Sequence, residues 1–150
     1  MRRADRKITD EETKDLLEKG EYGVLSTASK EGIPYGIPLN YCVVGDCLYF
    51  HCALEGRKID NMLENPHASF CVTGGVELLP EQFSTRYESV VVSGTVSEAF
   101  DDKKQEALEA IIRKYASAYI AEGQDYIIKM SRKTRVFGIR IEAISGKARK

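Results

Sequence analysis

Six short apolar segments, separated by turn-forming residues, constrain the fold of this chain more than any other feature. They cover residues 22–29, 33–44, 47–52, 67–73, 88–99 and 134–145. Segments of this length that are rich in β-branched and aromatic residues predict strands. Gly45 and Asp46 join the second and third segments as a tight hairpin turn. The pattern predicts a mainly β domain of six mostly antiparallel strands that form a small barrel with short helices at its periphery.

The second strand and the connection after the fourth strand have further sequence signals. Pro34 and Pro38 lack amide donors, so the second strand is predicted to lie at a sheet edge or to contain a bulge. Residues 74–87 are too many for a simple hairpin turn. They predict a long loop of a kind that often has a function.

Helical signals separate several of the strands. Thr9 and Glu12 form a capping box that predicts the start of a helix. Residues 56–65 predict a second helix, and a third begins with Asp101 or Asp102 as its cap. Residues 117–131 are partly helical in pattern. The predicted buried faces consist of Ile59, Met62 and Leu63 on the second helix and of Leu108, Ile111, Ile112 and Tyr115 on the third.

Length and charge exclude several classes of protein. The 150 residues fit a single domain, residues 1–150, that can bury a core. The formal net charge of −1 gives no indication of general nucleic-acid binding. No apolar segment approaches the roughly 20 residues that span a bilayer, and the basic N-terminus lacks the apolar stretch of a secretory signal. We therefore expect a cytoplasmic protein without nucleic-acid or membrane partners.

The four cysteines are predicted to be buried thiols, and no metal site is expected. Cys42, Cys47, Cys52 and Cys71 lie in strand-like apolar segments, where a free thiol packs as a small hydrophobe. Structural zinc sites normally use closer pairs of cysteines. In the cytoplasm these thiols would remain reduced.

Gly56, Arg57 and Lys58 occupy the predicted start of the second helix. Two adjacent cations at this place oppose the positive end of the helix dipole, and a bound anion would remove the conflict. The free amides of a helix start bind phosphate, and a guanidinium group adds a two-pronged contact. His51 and Cys52, at the end of the third strand, would flank such an anion.

The residues alone leave alternatives open at this helix start. Arg57 and Lys58 can be solvated, or can pair with Glu55 and Asp60. Helix-end chemistry also does not identify the molecule that carries a phosphate. Both alternatives therefore remain beside the phosphate hypothesis.

The residues around this helix start resemble a known protein family. LYFHCALEGRKIDNMLENP, preceded by IPLNY and followed by YESVVVSGTV and ISGK, resembles the pyridoxamine-phosphate-oxidase-like flavoproteins. Within them, the 5-nitroimidazole-resistance (Nim-type) branch is the most similar. The resemblance covers residues 5–147. It implies an FMN-binding split β-barrel that forms a homodimer and binds FMN at the dimer interface.

The same resemblance implies a set of cofactor-binding residues. Arg57 and Lys58 would hold the FMN phosphate, and Ser89 would make a polar contact with the flavin. Lys147 would reach the phosphate or the partner subunit, with a solvated tail lysine as the alternative. The remaining positions form two groups: Pro38, Leu39, Asn40 and Tyr41 beside the isoalloxazine ring, and His51, Cys52 and Ala53 along the ribityl–phosphate chain.

Resemblance to the Nim-type branch implies a flavin-dependent reductase. Reduced FMN would pass a hydride to an electron-poor acceptor such as a nitro group, with His51 as the catalytic proton donor. The chain has no Trp, and a short basic tail replaces the substrate-binding segment of pyridoxamine-phosphate oxidases, so that oxidase activity is not expected. One alternative is a non-catalytic protein that stores FMN or senses redox state. Another is a haem-binding relative of the barrel, with His51 or His67 as axial ligand.

Overall fold

One antiparallel sheet of seven strands forms the body of the protein. The computed structural model describes residues 3–149. The strands are β1 (Gly23–Ala28), β2 (Pro34–Leu39), β3 (Cys42–Val44), β4 (Cys47–Cys52), β5 (His67–Leu79), β6 (Ser84–Ala99) and β7 (Arg135–Arg149). Their order in the sheet is β2-β1-β5-β6-β7-β4-β3, and every neighbouring pair is antiparallel. The predicted mainly β, antiparallel class is confirmed, with seven strands instead of six.

The two edges of the sheet, β2 and β3, follow one another in the chain. The sheet must therefore curve back on itself, and its inner face encloses one core. That core takes residues from five strands: Leu25, Leu48, Phe50, Phe70, Val72, Val90, Val92, Phe137 and Ile139, all at most 1% exposed. Burying an aliphatic or aromatic side chain of this kind stabilises a fold by about 1.5–3 kcal/mol.

Four helices flank the barrel. They are α1 (Asp10–Lys19), α2 (Arg57–Glu64), α3 (Asp101–Tyr115) and α4 (Ile120–Met130). The predicted capping box of α1 is confirmed, since the Glu12 amide donates to Thr9 Oγ1 and the Thr9 amide donates to the Glu12 carboxylate. None of the helices within residues 3–149 is long and apolar enough to cross a membrane.

Tyr41 explains why the predicted second strand is two strands. Its side chain is fully buried, and its hydroxyl donates to the Leu17 carbonyl on α1. Its amide donates to the Tyr115 hydroxyl at 3.1 Å instead of to a neighbouring strand. The chain therefore leaves the ladder at Asn40 and Tyr41, which separates β2 from β3. Pro34 and Pro38 lie on β2, and the predicted edge position of this strand is confirmed.

The predicted long loop at residues 74–87 is wrong. After a register shift between Gly74 and Glu77, β5 and β6 continue to pair as far as Leu79 and Ser84. A short 3₁₀ turn, Pro80–Gln82, closes this hairpin. In sequence, Gly74 and Gly75 resemble the end of a strand. The residues with which β5 pairs again after them, Ser84–Arg86, lie beyond the turn, so the local sequence does not indicate that pairing.

Two details of the helix predictions are also wrong. Leu63 is 63% exposed, and Asn61 is buried in its place because its amide donates to Thr27 Oγ1 at 3.0 Å. The third helix has no side-chain cap, since Phe100 occupies the cap position. Leu108 and Ile111 are buried as predicted, and all four cysteines are free thiols, with Cys42 and Cys52 buried.

Candidate functional site

The start of α2 is held firmly but remains accessible. Ile59 and Met62 are buried in the core, and Asn61 is hydrogen-bonded to β1. Gly56 precedes the helix with φ 138° and ψ 161°, a conformation that is essentially restricted to glycine. The amides of Ile59 and Asp60 donate to the Gly56 carbonyl at 2.8 and 3.2 Å. The first-turn amides before them are the donors that a helix start offers to an anion.

Neither cation at this helix start is neutralised by a carboxylate. Within residues 3–149, Arg57 and Lys58 form no ion pair and no side-chain hydrogen bond, so pairing with Glu55 or Asp60 is not observed. The guanidinium carbon of Arg57 lies 4.8 Å from the ring centroid of Tyr35 on β2. This cation–π contact orients the guanidinium and leaves its donors available to an anion.

His51 and Cys52 end β4 next to this helix start. Strand alternation places Cys52 in the core, whereas His51 lies on the opposite face, paired with Val136 of β7. The residue as a whole is exposed, but protein atoms around the imidazole desolvate it and lower its pKa, and the charge of Lys58 lowers it further. Burial raises the pKa of Cys52, with Lys58 and Arg135 opposing that shift. The thiol is therefore not an activated nucleophile, and His51 is mainly neutral near pH 7.

A second group of predicted residues lies at the far end of β2. Pro38, Leu39 and Asn40 line a cavity of about 740 Å³ together with Tyr115. Tyr41 is not part of its lining, because its ring packs against Phe70 in the core with centroids 4.8 Å apart. Tyr35 and Pro38 are three residues apart on β2, roughly 10 Å. The strand therefore links the start of α2 with this cavity.

Ser89 and Lys147 form a third group, directly opposite each other on β6 and β7. Ser89 is 6% exposed, and its Oγ has no hydrogen-bond partner among residues 3–149. The Nζ of Lys147 lies 5.5 Å from the ring centroid of Tyr87. Along β6, Ser89 is nine residues, roughly 30 Å, from Glu98 at the α2 end of the barrel. One protomer therefore does not bring this pair to Arg57 and Lys58.

Sequence reasoning missed two residues at the α2 end. Tyr35 contacts Arg57, and Arg135 donates from Nη1 to the Leu54 carbonyl at 3.4 Å. The two members of each contact are far apart in sequence, so no local spacing indicated them. Ala53, which was predicted to contact the cofactor, is exposed in the same connection as Leu54.

Comparisons with known proteins agree with this fold. A family model described as pyridoxamine 5'-phosphate oxidase matches residues 9–148. A comparison with proteins of curated function finds no match. Among solved structures, a proposed 5-nitroimidazole antibiotic resistance protein from Bacteroides thetaiotaomicron VPI-5482 is 23% identical, with a TM-score of 0.74 over 93% of this chain and 84% of that one.

Two further solved structures are similar over most of the chain. An FAD-binding protein from Mesorhizobium loti is 26% identical, with a TM-score of 0.69 over 97% of this chain and 98% of that one. An FAD and haem binding protein from Mycobacterium smegmatis is 25% identical, with a TM-score of 0.81 over 95% of this chain and 72% of that one. The predicted split barrel thus agrees with both the matched family and the structural neighbours.

Proposed function

Because the chain belongs to the pyridoxamine 5'-phosphate oxidase family, we propose that it binds FMN and acts as a flavin-dependent reductase of the nitroimidazole-resistance type. The observation that carries the proposal is the positive charge of Arg57 and Lys58 at an accessible helix start, where neither cation pairs with a carboxylate of residues 3–149. A phosphate there would receive backbone N–H groups, a guanidinium fork and an ammonium charge.

The residues of this chain fit the remainder of FMN as well. β2 leads from Tyr35, which contacts Arg57, to Pro38 at the cavity, so a ligand held at the start of α2 would extend along this strand. The isoalloxazine ring would then lie beside Pro38, Leu39 and Asn40, next to the cavity at the end of the strand. The Oγ of Ser89 is buried and has no hydrogen-bond partner among residues 3–149, and a flavin held at the α2 of a second copy would satisfy it.

A bound, reduced flavin would supply the hydride that, together with one proton, converts a nitro group to a nitroso group and water. The chain would bind and orient the reactants. His51 is mainly neutral because desolvation lowers its pKa and the charge of Lys58 lowers it further. A phosphate beside Lys58 would offset that charge and favour the protonated imidazole, which would then hold a proton at its ring nitrogen.

A second copy of the chain is the proposed partner. By strand alternation Ser89 lies on the outer face of β6 with Val91, and the register aligns Val91 with Val24 through Cys71. Val24 and Val91 are 38% and 40% exposed. The neighbouring row consists of small residues: Gly36, Ser26, Ser69, Ser93 and Ala143. A flat face of this kind fits its own copy, which would bring Ser89 and Lys147 to the flavin held by the partner's α2.

The dimer is tested by gel filtration and light scattering. Val91→Arg is expected to give a monomer that has lost FMN, because the charge would be placed in a desolvated interface. Ile128→Arg on α4, where Ile128 is 77% exposed, is the control and should remain a dimer. A wild-type monomer with full FMN occupancy would contradict an interface site.

The cofactor is tested by visible spectra of the freshly purified protein before and after addition of FMN, FAD or haem. FMN is expected to give a perturbed flavin spectrum with quenched fluorescence. A Soret band without flavin binding would instead support the haem-binding alternative. Tighter binding of FAD than of FMN would contradict the assignment of FMN.

Turnover is tested separately from binding. Protein reduced with dithionite under anaerobic conditions and freed of excess reductant is expected to be reoxidised by a nitroaromatic compound. If the bound flavin remains reduced in its presence, the protein is a non-catalytic FMN-storing or redox-sensing protein for that acceptor class. We place the reaction in the cytoplasm, where the four free thiols would remain reduced.

A further inference from the structure

We propose that Arg135 is a positioning residue that fixes the connection before α2 and thereby sets the geometry of the phosphate site; this inference rests on the proposed function. The connection consists of residues 53–56, between β4 and α2. Arg135 Nη1 donates to the Leu54 carbonyl in its middle at 3.4 Å. Arg135 is also paired in the ladder with Cys52, the last residue of β4.

The connection has little else to hold it. All four of its residues are exposed, and Leu54 itself is 52% exposed, so apolar burial does not fix its path. In the described part of the chain, no other side chain donates a hydrogen bond to a carbonyl of residues 53–55. The Arg135 contact is therefore the only side-chain tether of this segment within residues 3–149.

Arg135 can serve as a tether because its own position is fixed from β6. Its Nε and Nη2 donate to the two carboxylate oxygens of Glu98 at 2.8 and 2.6 Å. Both side chains are largely shielded from water, at 22% and 18% exposure. A planar guanidinium held by two parallel bonds has little rotational freedom. Its remaining nitrogen, Nη1, consequently reaches Leu54 from a defined direction.

The expected effect is specific to the phosphate end of the ligand. Leu54 lies two residues before Gly56, whose unusual backbone conformation begins α2. Releasing Leu54 would loosen the first-turn amides and Arg57, whereas β2 and the cavity at its far end would keep their structure. A ligand with a phosphate should therefore lose affinity, and the same flavin without a phosphate should not.

The test compares FMN with riboflavin by fluorescence quenching in wild type and Arg135→Gln. FMN affinity is expected to fall by up to about tenfold, the size of one ordinary hydrogen bond, with riboflavin affinity unchanged. Arg140→Gln is the matched control, because Arg140 lies on the same strand and contacts Glu142 at 3.3 Å on the exposed surface. It should leave both affinities at the wild-type level.

Other outcomes separate this inference from the proposed function. Equal losses for FMN and riboflavin, or no loss for either, would overturn the positioning role. If wild type itself binds both flavins equally, the phosphate site of the proposed function fails instead. Glu98→Gln keeps the shape of the carboxylate partner and tests the same tether if Arg135→Gln does not fold. In flavin-free protein, amide hydrogen exchange at Ile59 and Asp60, whose amides donate to the Gly56 carbonyl, should be faster in either variant. Unchanged exchange at these amides would contradict the tether.

Discussion

Arg135 and the pair Arg57–Lys58 show two different uses of positive charge at the same end of the barrel. Arg135 is neutralised by two bonds to the Glu98 carboxylate, and that contact holds the pKa of Glu98 below its ordinary value. Arg57 and Lys58 have no carboxylate partner within residues 3–149. They also oppose the helix dipole, typically at a cost of 0.3–1 kcal/mol for each charge. Paired charge fixes the chain, whereas unpaired charge remains available to a ligand.

Removing the unpaired charge tests this comparison most strongly. Arg57→Ala combined with Lys58→Ala is expected to lose about 3–6 kcal/mol of FMN binding, since each charge-assisted contact contributes about 1.5–3 kcal/mol. The thermal unfolding midpoint should change little, because neither side chain forms an ion pair within residues 3–149 and the lost cation–π contact of Arg57 with Tyr35 is offset by removal of two charges that oppose the helix dipole. Titration calorimetry with FMN and a thermal melt measure the two effects.

The chain offers a matched control for that double variant. Arg132 and Lys133 are also adjacent, exposed cations in a short helical turn, but they lie between α4 and β7. Alanine at both positions should leave FMN affinity unchanged. Unchanged affinity in the Arg57–Lys58 variant would remove the phosphate assignment, and an equal loss in both variants would indicate a general charge effect.

The same comparison shows what the sequence could and could not predict. The antiparallel strands, the capping box of Thr9 and Glu12, and the Gly56–Arg57–Lys58 helix start all depend on neighbouring residues, and they were predicted. The break at Tyr41 depends on Leu17 and Tyr115, which are distant in sequence. No pattern within one segment contains that information.

The residues of the candidate site also divide into those that the local sequence predicted and those whose role depends on contacts between distant segments. The basic pair was visible in sequence because two cations at a helix start conflict with local electrostatics. Tyr35 and Arg135 were missed because their roles arise only when β2 and β7 are brought to the α2 end. Conversely, Ser89 and Lys147 came from family resemblance, and the topology of one protomer places them far from α2.

A change in backbone conformation should have the next largest effect. Gly56→Ala would place a Cβ on a residue with φ 138°, a conformation that is essentially restricted to glycine. The substitution should lower the free energy of unfolding by about 1–3 kcal/mol. FMN affinity should also fall, because the first-turn amides and Arg57, which would contact the phosphate, would shift with the backbone. Gly45→Ala, at the β3–β4 turn with φ 60°, is the control. It should lose stability but retain FMN affinity, and a similar affinity loss in both would contradict a local role for Gly56.

A smaller effect is expected from the contact that orients Arg57. Tyr35→Leu removes the cation–π interaction, which is worth about 0.5–1 kcal/mol at an exposed site. FMN should bind about two- to fivefold more weakly. Tyr35→Phe keeps the aromatic face and should bind as wild type does. If both variants weaken FMN equally, the hydroxyl and not the ring contact is responsible.

The smallest expected effect is that of the Lys58 charge on the pKa of His51. Desolvation is the larger cause of the lowered pKa of His51, and the charge of Lys58 is the smaller cause. Lys58→Gln should therefore raise the imidazole pKa in flavin-free protein but leave it below the ordinary value of about 6.5. NMR titration of the ring protons measures the shift. An unchanged midpoint would show that the charge of Lys58 does not act on His51.

The sign of the stability effect follows from the same shift. Because the folded pKa of His51 lies below that of the unfolded chain, the unfolded state binds the proton first as the pH falls. The contribution of neutral His51 to stability is complete above the unfolded value of about 6.5 and is lost as the pH falls through the folded pKa. Lys58→Gln brings the two pKa values closer together, so the loss of stability over this pH range should become smaller. Urea unfolding of wild type and variant on both sides of that range measures it, and an unaltered pH dependence would place the charge of Lys58 outside the reach of His51.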